Sequence, residues 1–168
     1  MLLKATEVFI SRGYAEVSMR EIAAAIDVST GTLYHYFPSK EDLFCHLFLF
    51  HARHSTAQLV DELCGIEGRN ARLNRLLQFF LRQCDGMRIQ FLLSADMVRH
   101  ELPPKSAGLL RRWASGMKRK MADLLGADAV TTEMLFCFLS GTLYSRVVSG
   151  QKNDLAPVFE NFQKLLVR

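Results

Sequence analysis

Cysteine is scarce and scattered. Cys45, Cys64, Cys84 and Cys137 form no close pair, which excludes a disulfide-stapled scaffold and leaves reduced core thiols as the expected reading. Four prolines and ten glycines in 168 residues are too few for a loop-rich or disordered chain. No apolar stretch runs uninterrupted for the length a bilayer requires, and no signal peptide opens the chain. The expectation is a soluble, cytoplasmic protein with no membrane partner. Alternating strand patterns, internal repeats and low-complexity tracts are also absent. So are a nucleophile–base set, a paired-carboxylate motif, a phosphate-binding glycine loop and a dinucleotide fingerprint. Enzyme activity therefore has no positive support, and no cofactor is expected.

What is present is helical. Apolar residues make up 49% of the chain, enough for a sizeable core in one compact unit or two small ones. Leu2, Ala5 and Phe9 form a first helical stripe, which Gly13 stops as a C-terminal cap. Tyr14 then begins a short connection. Ser18 and Glu21 form a capping box that opens a second helix, with Met19, Ile22, Ala23 and Ile26 on one face. Asp27 and Val28 make a tight turn, and Ser29 caps a third helix. Pro38 ends that helix. Ser39 with Asp42 resembles a capping box for a long fourth helix, which runs towards Cys64 and ends at Gly65. Beyond a linker at 65–69, Leu73, Leu76, Leu77, Phe80 and Cys84 mark a fifth helix, and Phe91, Leu92, Ala95 and Val98 a sixth. Pro103 and Pro104 break the chain before a basic helix that runs to about Leu125. Two more helices, at about 130–149 and 155–167, complete an all-α chain of about nine helices. Asp128 and Asp154 are their expected N-caps, and Gly150 a C-terminal stop.

The stretch at 29–40, STGTLYHYFPSK, is the most informative. Its helix carries Leu33 and Phe37 as large apolar anchors four residues apart, so one narrow stripe turns inward. Gly31 and His35 then point straight out, with Thr32 and Tyr34 beside them and Tyr36 on the shoulder. This face has no strong charge. It is small at its N-terminal end and rich in hydroxyl, aromatic and imidazole groups at the other, which suits base edges and phosphates. Gly31 costs roughly 1 kcal/mol of helix propensity against Ala. Close approach of the backbone to a base or phosphate is the reason to keep it. Tyr34 and Tyr36 can donate hydroxyls to phosphate oxygens, and His35 can donate to phosphate or a base edge. Lys40 and Ser18 stand at helix starts, where free backbone N–H groups help to hold a phosphate. Two short helices joined by a tight turn and braced by a first helix make a helix-turn-helix.

Residues 2–47 resemble the DNA-binding domain of TetR-family transcriptional regulators. The resemblance rests on Ala5, Phe9, Gly13, Tyr14, Ser18, Ile22, Ala23, Val28, Ser29, Gly31, Leu33, Tyr34, Tyr36, Phe37, Lys40, Leu43 and Phe44. It implies a three-helix helix-turn-helix domain at 1–46 and a helical effector-binding and dimerisation domain at 47–168. It also puts Ser29, Thr30, Gly31, Thr32, Tyr34, His35 and Tyr36 where such proteins touch DNA. The implied function is a homodimeric regulator, most often a repressor, that reads a palindromic double-stranded operator and is released by a small-molecule effector.

Charge runs against the simplest form of this expectation. Residues 1–53 hold five cations (Lys4, Arg12, Arg20, Lys40, Arg53) and six acids (Glu7, Glu16, Glu21, Asp27, Glu41, Asp42), whereas residues 69–120 are strongly basic. Affinity for DNA rests largely on phosphate neutralisation, so one near-neutral domain binds weakly alone. Dimerisation doubles the contacts. The chain also starts abruptly at the first helix, where family members often carry a basic arm. A neutral reading domain is equally what a TetR-like adaptor would have, binding a protein or ligand partner and no DNA. The basic helix with Lys105, Arg111, Arg112, Lys118, Arg119 and Lys120 has an apolar face of its own, so its charges read as a solvated surface. His51 and His54, with Cys45 and His46 nearby, lack the ligand spacing of a metal site, and no metal is expected.

Phe80, Met87, Phe91, Trp113, Met117, Met121, Phe136 and Tyr144 are the candidate lining of an effector pocket, which would favour an apolar or aromatic effector. For the dimer interface, Phe138, Gly141, Thr142 and Ser145 put small groups on one side of the penultimate helix. Phe159, Phe162 and Leu166 give the last helix an apolar stripe, so the pair would form a four-helix bundle across a two-fold axis.

Overall fold

The computed structural model describes residues 1–83, 93, 102–149 and 155–166. Eight helices and no strands occur among the described residues. They are α1 (Leu2–Arg12), α2 (Met19–Ala25), α3 (Thr30–Tyr36), α4 (Lys40–Leu63), α5 (Arg69–Gln83), α6 (Pro104–Leu125), α7 (Ala129–Ser149) and α8 (Ala156–Leu166). Of the sixth helix expected near 91–98, only Leu93 is described, helical and buried. Cys84, Gly150 and Asp154 lie outside the described residues.

The chain divides into two compact units, residues 1–53 with 92–113 and residues 54–91 with 114–168. The division expected at 46/47 thus falls within α4, whose first turns belong to the first unit as far as Arg53.

An aromatic cluster sits at the centre of the first unit. Phe9 and Tyr14 each meet the ring of Phe44 edge-on, at centroid distances of 5.1 and 4.8 Å. Ala5, Val17, Ile22, Ala23, Leu33, Leu43 and Leu47 are buried in the same unit. Each large side chain buried this way contributes about 1.5–3 kcal/mol. The turns between its helices follow local chemistry. Gly13 adopts φ 84° after α1, and its N–H donates to the Phe9 carbonyl at 2.8 Å. Asp27 takes the left-handed conformation at φ 61°, which Asp tolerates better than most residues, and so turns α2 into α3 within a few residues.

The capping box at Ser18 is complete. Ser18 Oγ accepts the Glu21 N–H at 3.3 Å, and Glu21 Oε2 accepts the Ser18 N–H at 2.9 Å. Hydrogen bonds from the Ser18 backbone, the Ser18 hydroxyl and Arg12 lower the Glu21 carboxyl from 4.5 to about 2. A depressed carboxyl stabilises the fold at pH above its unfolded value and loses that contribution as pH falls through its folded value. The Glu21 contribution is therefore full above about 4.5 and fades between there and about 2. Thermal melts of Glu21→Gln and wild type should differ at pH 6 and converge towards pH 2; a constant difference would contradict this assignment.

At the start of α4 the box is only half made. Asp42 N–H donates to Ser39 Oγ at 3.1 Å, but the Asp42 carboxylate accepts the hydroxyl of Ser106 in α6 instead of returning to Ser39. Ser106 is fully buried, and its carbonyl accepts the Cys45 thiol at 3.5 Å. Burial, with the nearby Asp42 charge, pushes the Cys45 thiol up to about 11. Core thiols were the expectation for all the cysteines, and Cys45 fits it. Cys64 and Cys137 do not: both are exposed, because their positions on α4 and α7 fall on the outer side of each helix.

The second unit is built around Leu59, Leu63, Leu73, Leu76, Leu77, Phe79, Met121, Leu125, Leu135, Leu139 and Phe159. Asp128 caps α7, its Oδ1 accepting the Thr131 N–H at 2.7 Å. Arg72 donates to the carbonyls of Ile66 at 2.6 Å and Leu124 at 2.7 Å, which fastens the start of α5 to the end of α6. Among the described residues, no single helix is long and apolar enough to cross a membrane.

Candidate nucleic-acid interface

The third helix has the orientation its spacing predicts. Leu33 is buried and Phe37 half-buried, while Gly31, Thr32, Tyr34, His35 and Tyr36 are exposed and Thr30 is half-buried. Tyr34 and Tyr36 stand out at 48% and 65% exposure, values that a purely packing role would not leave. The ring of His35 lies edge-on to Tyr36 at 5.4 Å. At the N-terminal end, Ser29 Oγ accepts the Thr32 N–H at 2.9 Å and pairs with the Thr32 hydroxyl at 2.7 Å. Cap and face are thus one polar cluster. Ser29 and Thr32 are both exposed, and each hydroxyl keeps capacity for a further partner.

A methyl group at Gly31 would meet only Ser29 Oγ, at 3.8 Å, and φ is not in the left-handed region. Nothing among the described residues requires glycine there. Gly31→Ala should therefore stabilise the free protein by about 0.5–1 kcal/mol through helix propensity. If the backbone approaches a base or phosphate, the same variant should bind duplex DNA at least tenfold more weakly. Paired melting and binding curves test this, and a variant that binds as well as wild type would remove the case for close approach.

Lys40 and Ser18 are more constrained than their sequence positions suggest. The Lys40 ammonium donates to the carbonyls of Tyr14 at 2.8 Å and Val17 at 3.0 Å, and lies 4.3 Å from the centre of the Tyr14 ring. It ties the α1–α2 connection to the start of α4, leaving one N–H for a phosphate. The Tyr14 hydroxyl in turn donates to Glu41, whose carboxyl lies below its ordinary value: burial opposes the shift, and hydrogen bonds from Tyr14, its own backbone N–H and Ser39 outweigh it. Ser18 Oγ is engaged with Glu21 on both sides of its cap. The sequence places Tyr14 at the start of a connection and among the residues of the family resemblance, and gives no sign that its ring and hydroxyl join Phe44, Lys40 and Glu41.

His51, weighed for a metal site, has another partner. Its Nε2 lies 2.9 Å from Thr6 Oγ1, whose hydroxyl donates to the Leu2 carbonyl, so the imidazole donates to Thr6 and links α4 to α1. Among the described residues, no three His, Cys, Asp or Glu side chains converge as metal ligands would.

The candidate effector residues that are described fall in both units. Trp113 belongs to the first unit, edge-on to Phe48 at 5.4 Å. Met121 is fully buried core of the second unit; Phe80, Met117 and Phe136 pack against that core, and Tyr144 is exposed. Met87 and Phe91 lie outside the described residues. The interface candidates also divide. Phe138 stacks on Phe162 at 3.7 Å and meets Phe159 edge-on at 5.2 Å, so these rings pack within the protomer. Phe159 is buried, Phe162 and Leu166 belong to the same packing, and Thr142 Oγ1 is bonded to the Phe138 carbonyl at 2.8 Å. Gly141 and Ser145 are exposed. With Val130, Met134, Cys137 and Tyr144 they form one outward stripe on α7, and Val158 and Leu165 form another on α8.

Comparison with known proteins bears on this arrangement. Residues 2–47 match the model of the bacterial regulatory proteins of the tetR family. The chain is 31% identical over 131 residues to the HTH-type transcriptional activator FasR of Mycolicibacterium smegmatis, covering 77% of this chain and 58% of FasR. It thus spans less than two thirds of that relative's length. Among solved structures, the transcriptional regulator FadR from Bacillus subtilis in complex with stearoyl-CoA superposes with a TM-score of 0.80 at 21% identity, over 99% of this chain and 95% of that one. The fatty acid degradation regulator FadR from Bacillus halodurans gives 0.78 at 20% identity, over 98% and 95%. These two likenesses establish the all-helical fold, and the relatives are regulators rather than enzymes.

Proposed function

Because the chain belongs, through residues 2–47, to the TetR family of bacterial regulatory proteins, we propose that it is a homodimeric cytoplasmic regulator that reads a palindromic operator with α3. One observation carries this reading. The whole outer face of α3 is small or polar-aromatic and solvent-facing, with Tyr34 and Tyr36 exposed while Leu33 is buried. Ser29, Thr30, Gly31, Thr32, Tyr34, His35 and Tyr36 are the proposed contacts, with Ser18 and Lys40 at neighbouring helix starts. Two such heads one helical turn apart would engage successive major grooves. Whether binding represses or activates depends on where the operator lies relative to the promoter; FasR is an activator.

The outward stripes of α7 and α8 support a dimer better than the aromatic rings do. Val130, Met134, Gly141, Tyr144 and Ser145 with Val158 and Leu165 offer an apolar surface that a second copy would cover. Met134→Glu should convert dimer to monomer in light scattering at micromolar concentration, since Met134 is 53% exposed and the fold does not need it. A dimer that survives this substitution would move the interface elsewhere.

An apolar effector in the second unit is the third part of the proposal. One similar solved structure is a fatty acid degradation regulator by name and another is a transcriptional regulator in complex with stearoyl-CoA, which supports an acyl-chain compound as the effector's class. By linkage, the effector and DNA would weaken each other's binding by the same factor.

The test is a selection of bound genomic duplex fragments by the purified protein at low and moderate salt. Enrichment of one palindrome, lost as salt rises, supports the proposal. The second reading, an adaptor that binds a partner and no DNA, is favoured by the near-neutral charge of residues 1–53 and by the engagement of Lys40 with two carbonyls. Folded dimer with no enrichment at either salt concentration would select it.

A further inference from the structure

Phe37, at the end of α3, also lines a cavity of about 280 Å³ that the reading of DNA does not use. Leu2 of α1, Phe37, Leu49 of α4 and Leu109 of α6 supply apolar lining, and two basic side chains join them, His46 and Arg53. All belong to the first unit. His46 and Arg53 lie seven residues apart, on one face of α4. The imidazole is held from two sides: its Nδ1 donates to the Asp42 carbonyl at 2.8 Å, and its ring lies edge-on to Phe37 at 5.4 Å. Arg53 has no acidic partner among the described residues, and no carboxylate lines the cavity.

We propose that this cavity binds a small apolar carboxylate, with its tail against Leu2, Leu49 and Leu109 and its carboxylate on Arg53 beside His46. The apolar walls favour a hydrocarbon or aromatic body, because burying it releases water from both surfaces. The guanidinium selects the head group: its planar fork matches a carboxylate with two parallel hydrogen bonds, and a cationic head would meet two basic groups and no acid. At about 280 Å³ the cavity lies at the small end of the range for ligand pockets, which suits a medium-chain fatty acid or a single-ring aromatic acid. The site is distinct from the effector site proposed for the second unit and does not depend on DNA binding. Its ligand would touch α1, α4, α6 and the residue that ends α3, and so would bear on how firmly α3 is held.

Octanoate and octan-1-ol, identical in chain and different in head group, are the probes, titrated into the protein with labelled leucine methyl groups. Octanoate should give nuclear Overhauser contacts to the Leu49 and Leu109 methyls, and octanol should bind at least tenfold more weakly. Arg53→Gln should weaken octanoate at least tenfold and leave octanol unchanged; Arg53 is exposed, so the variant should fold. Leu109→Trp, which fills the cavity, should abolish the Leu49 contact as a second check. Contacts only to leucines of the second unit, equal affinity for the two probes, or no contact at millimolar octanoate would each overturn the proposal.

Discussion

Tyr34→Ala should bind the operator about 30-fold more weakly than wild type while melting at the same temperature and remaining a dimer. The side chain is 48% exposed and no core contact depends on it. What it would lose is a hydroxyl donated to a phosphate. Such a bond contributes about 1 kcal/mol net, and a dimer loses two of them, so the cost is about 2 kcal/mol. Tyr34→Phe separates the possible roles. It keeps the ring and removes the hydroxyl, and should show most of the loss if the hydroxyl bonds phosphate. Electrophoretic or fluorescence titration against the selected operator measures both. Wild-type affinity in Tyr34→Ala would remove Tyr34 from the interface and with it the proposed orientation of α3 in the groove.

Lys40→Met should act first on stability. The variant keeps the aliphatic stem and removes the ammonium, leaving the Tyr14 and Val17 carbonyls without their donor. Hydrogen bonds from a charged donor contribute about 1.5–3 kcal/mol, and the cation over the Tyr14 ring adds about 0.5–1 kcal/mol. Lys40 is half-buried, so water replaces part of this, and a loss of about 2 kcal/mol is expected. For a chain of this size that lowers the melting temperature by roughly 4–8 °C. Amide exchange should quicken at residues 14–18, where the α1–α2 connection is no longer tied to α4. A second readout isolates any phosphate contact. If the remaining N–H of Lys40 meets DNA, the salt dependence of binding should shallow by about one ion per subunit, beyond the fall in affinity. Unchanged stability would refute the clamp; unchanged slope would make Lys40 a structural residue alone.

Most of the first unit was legible because its information is local. A capping box is a contact over three residues, a helical stripe repeats every three or four, and a tight turn is a matter of one or two backbone conformations. Ser18 with Glu21, the Asp27 turn, and Leu33 inward with Tyr34 and Tyr36 outward could all be read from spacing alone, and so could the all-α class. The capping box expected at Ser39 shows the limit: Asp42 had the right spacing but found Ser106, 64 residues away, and no local rule reports that competitor.

The same limit explains the remaining differences. Lys40 and Tyr14 are 26 residues apart, and only the packing of α4 against the α1–α2 connection turned a candidate phosphate ligand into a clamp. On α7 and α8 the sequence could show that apolar rings recur with helical period, but not which side of each helix the rest of its own unit would occupy. Phe138, Phe159 and Phe162 pack together inside the protomer, which left Val130, Met134, Val158 and Leu165 facing outward. By itself, then, the sequence determined helix class, caps, turns and the exposed face of α3, because each depends on neighbours a few residues away. Tertiary structure alone decided where Lys40, Asp42 and the aromatic rings found their partners and which faces stayed free. Those outcomes are competitions between distant groups for the same contacts.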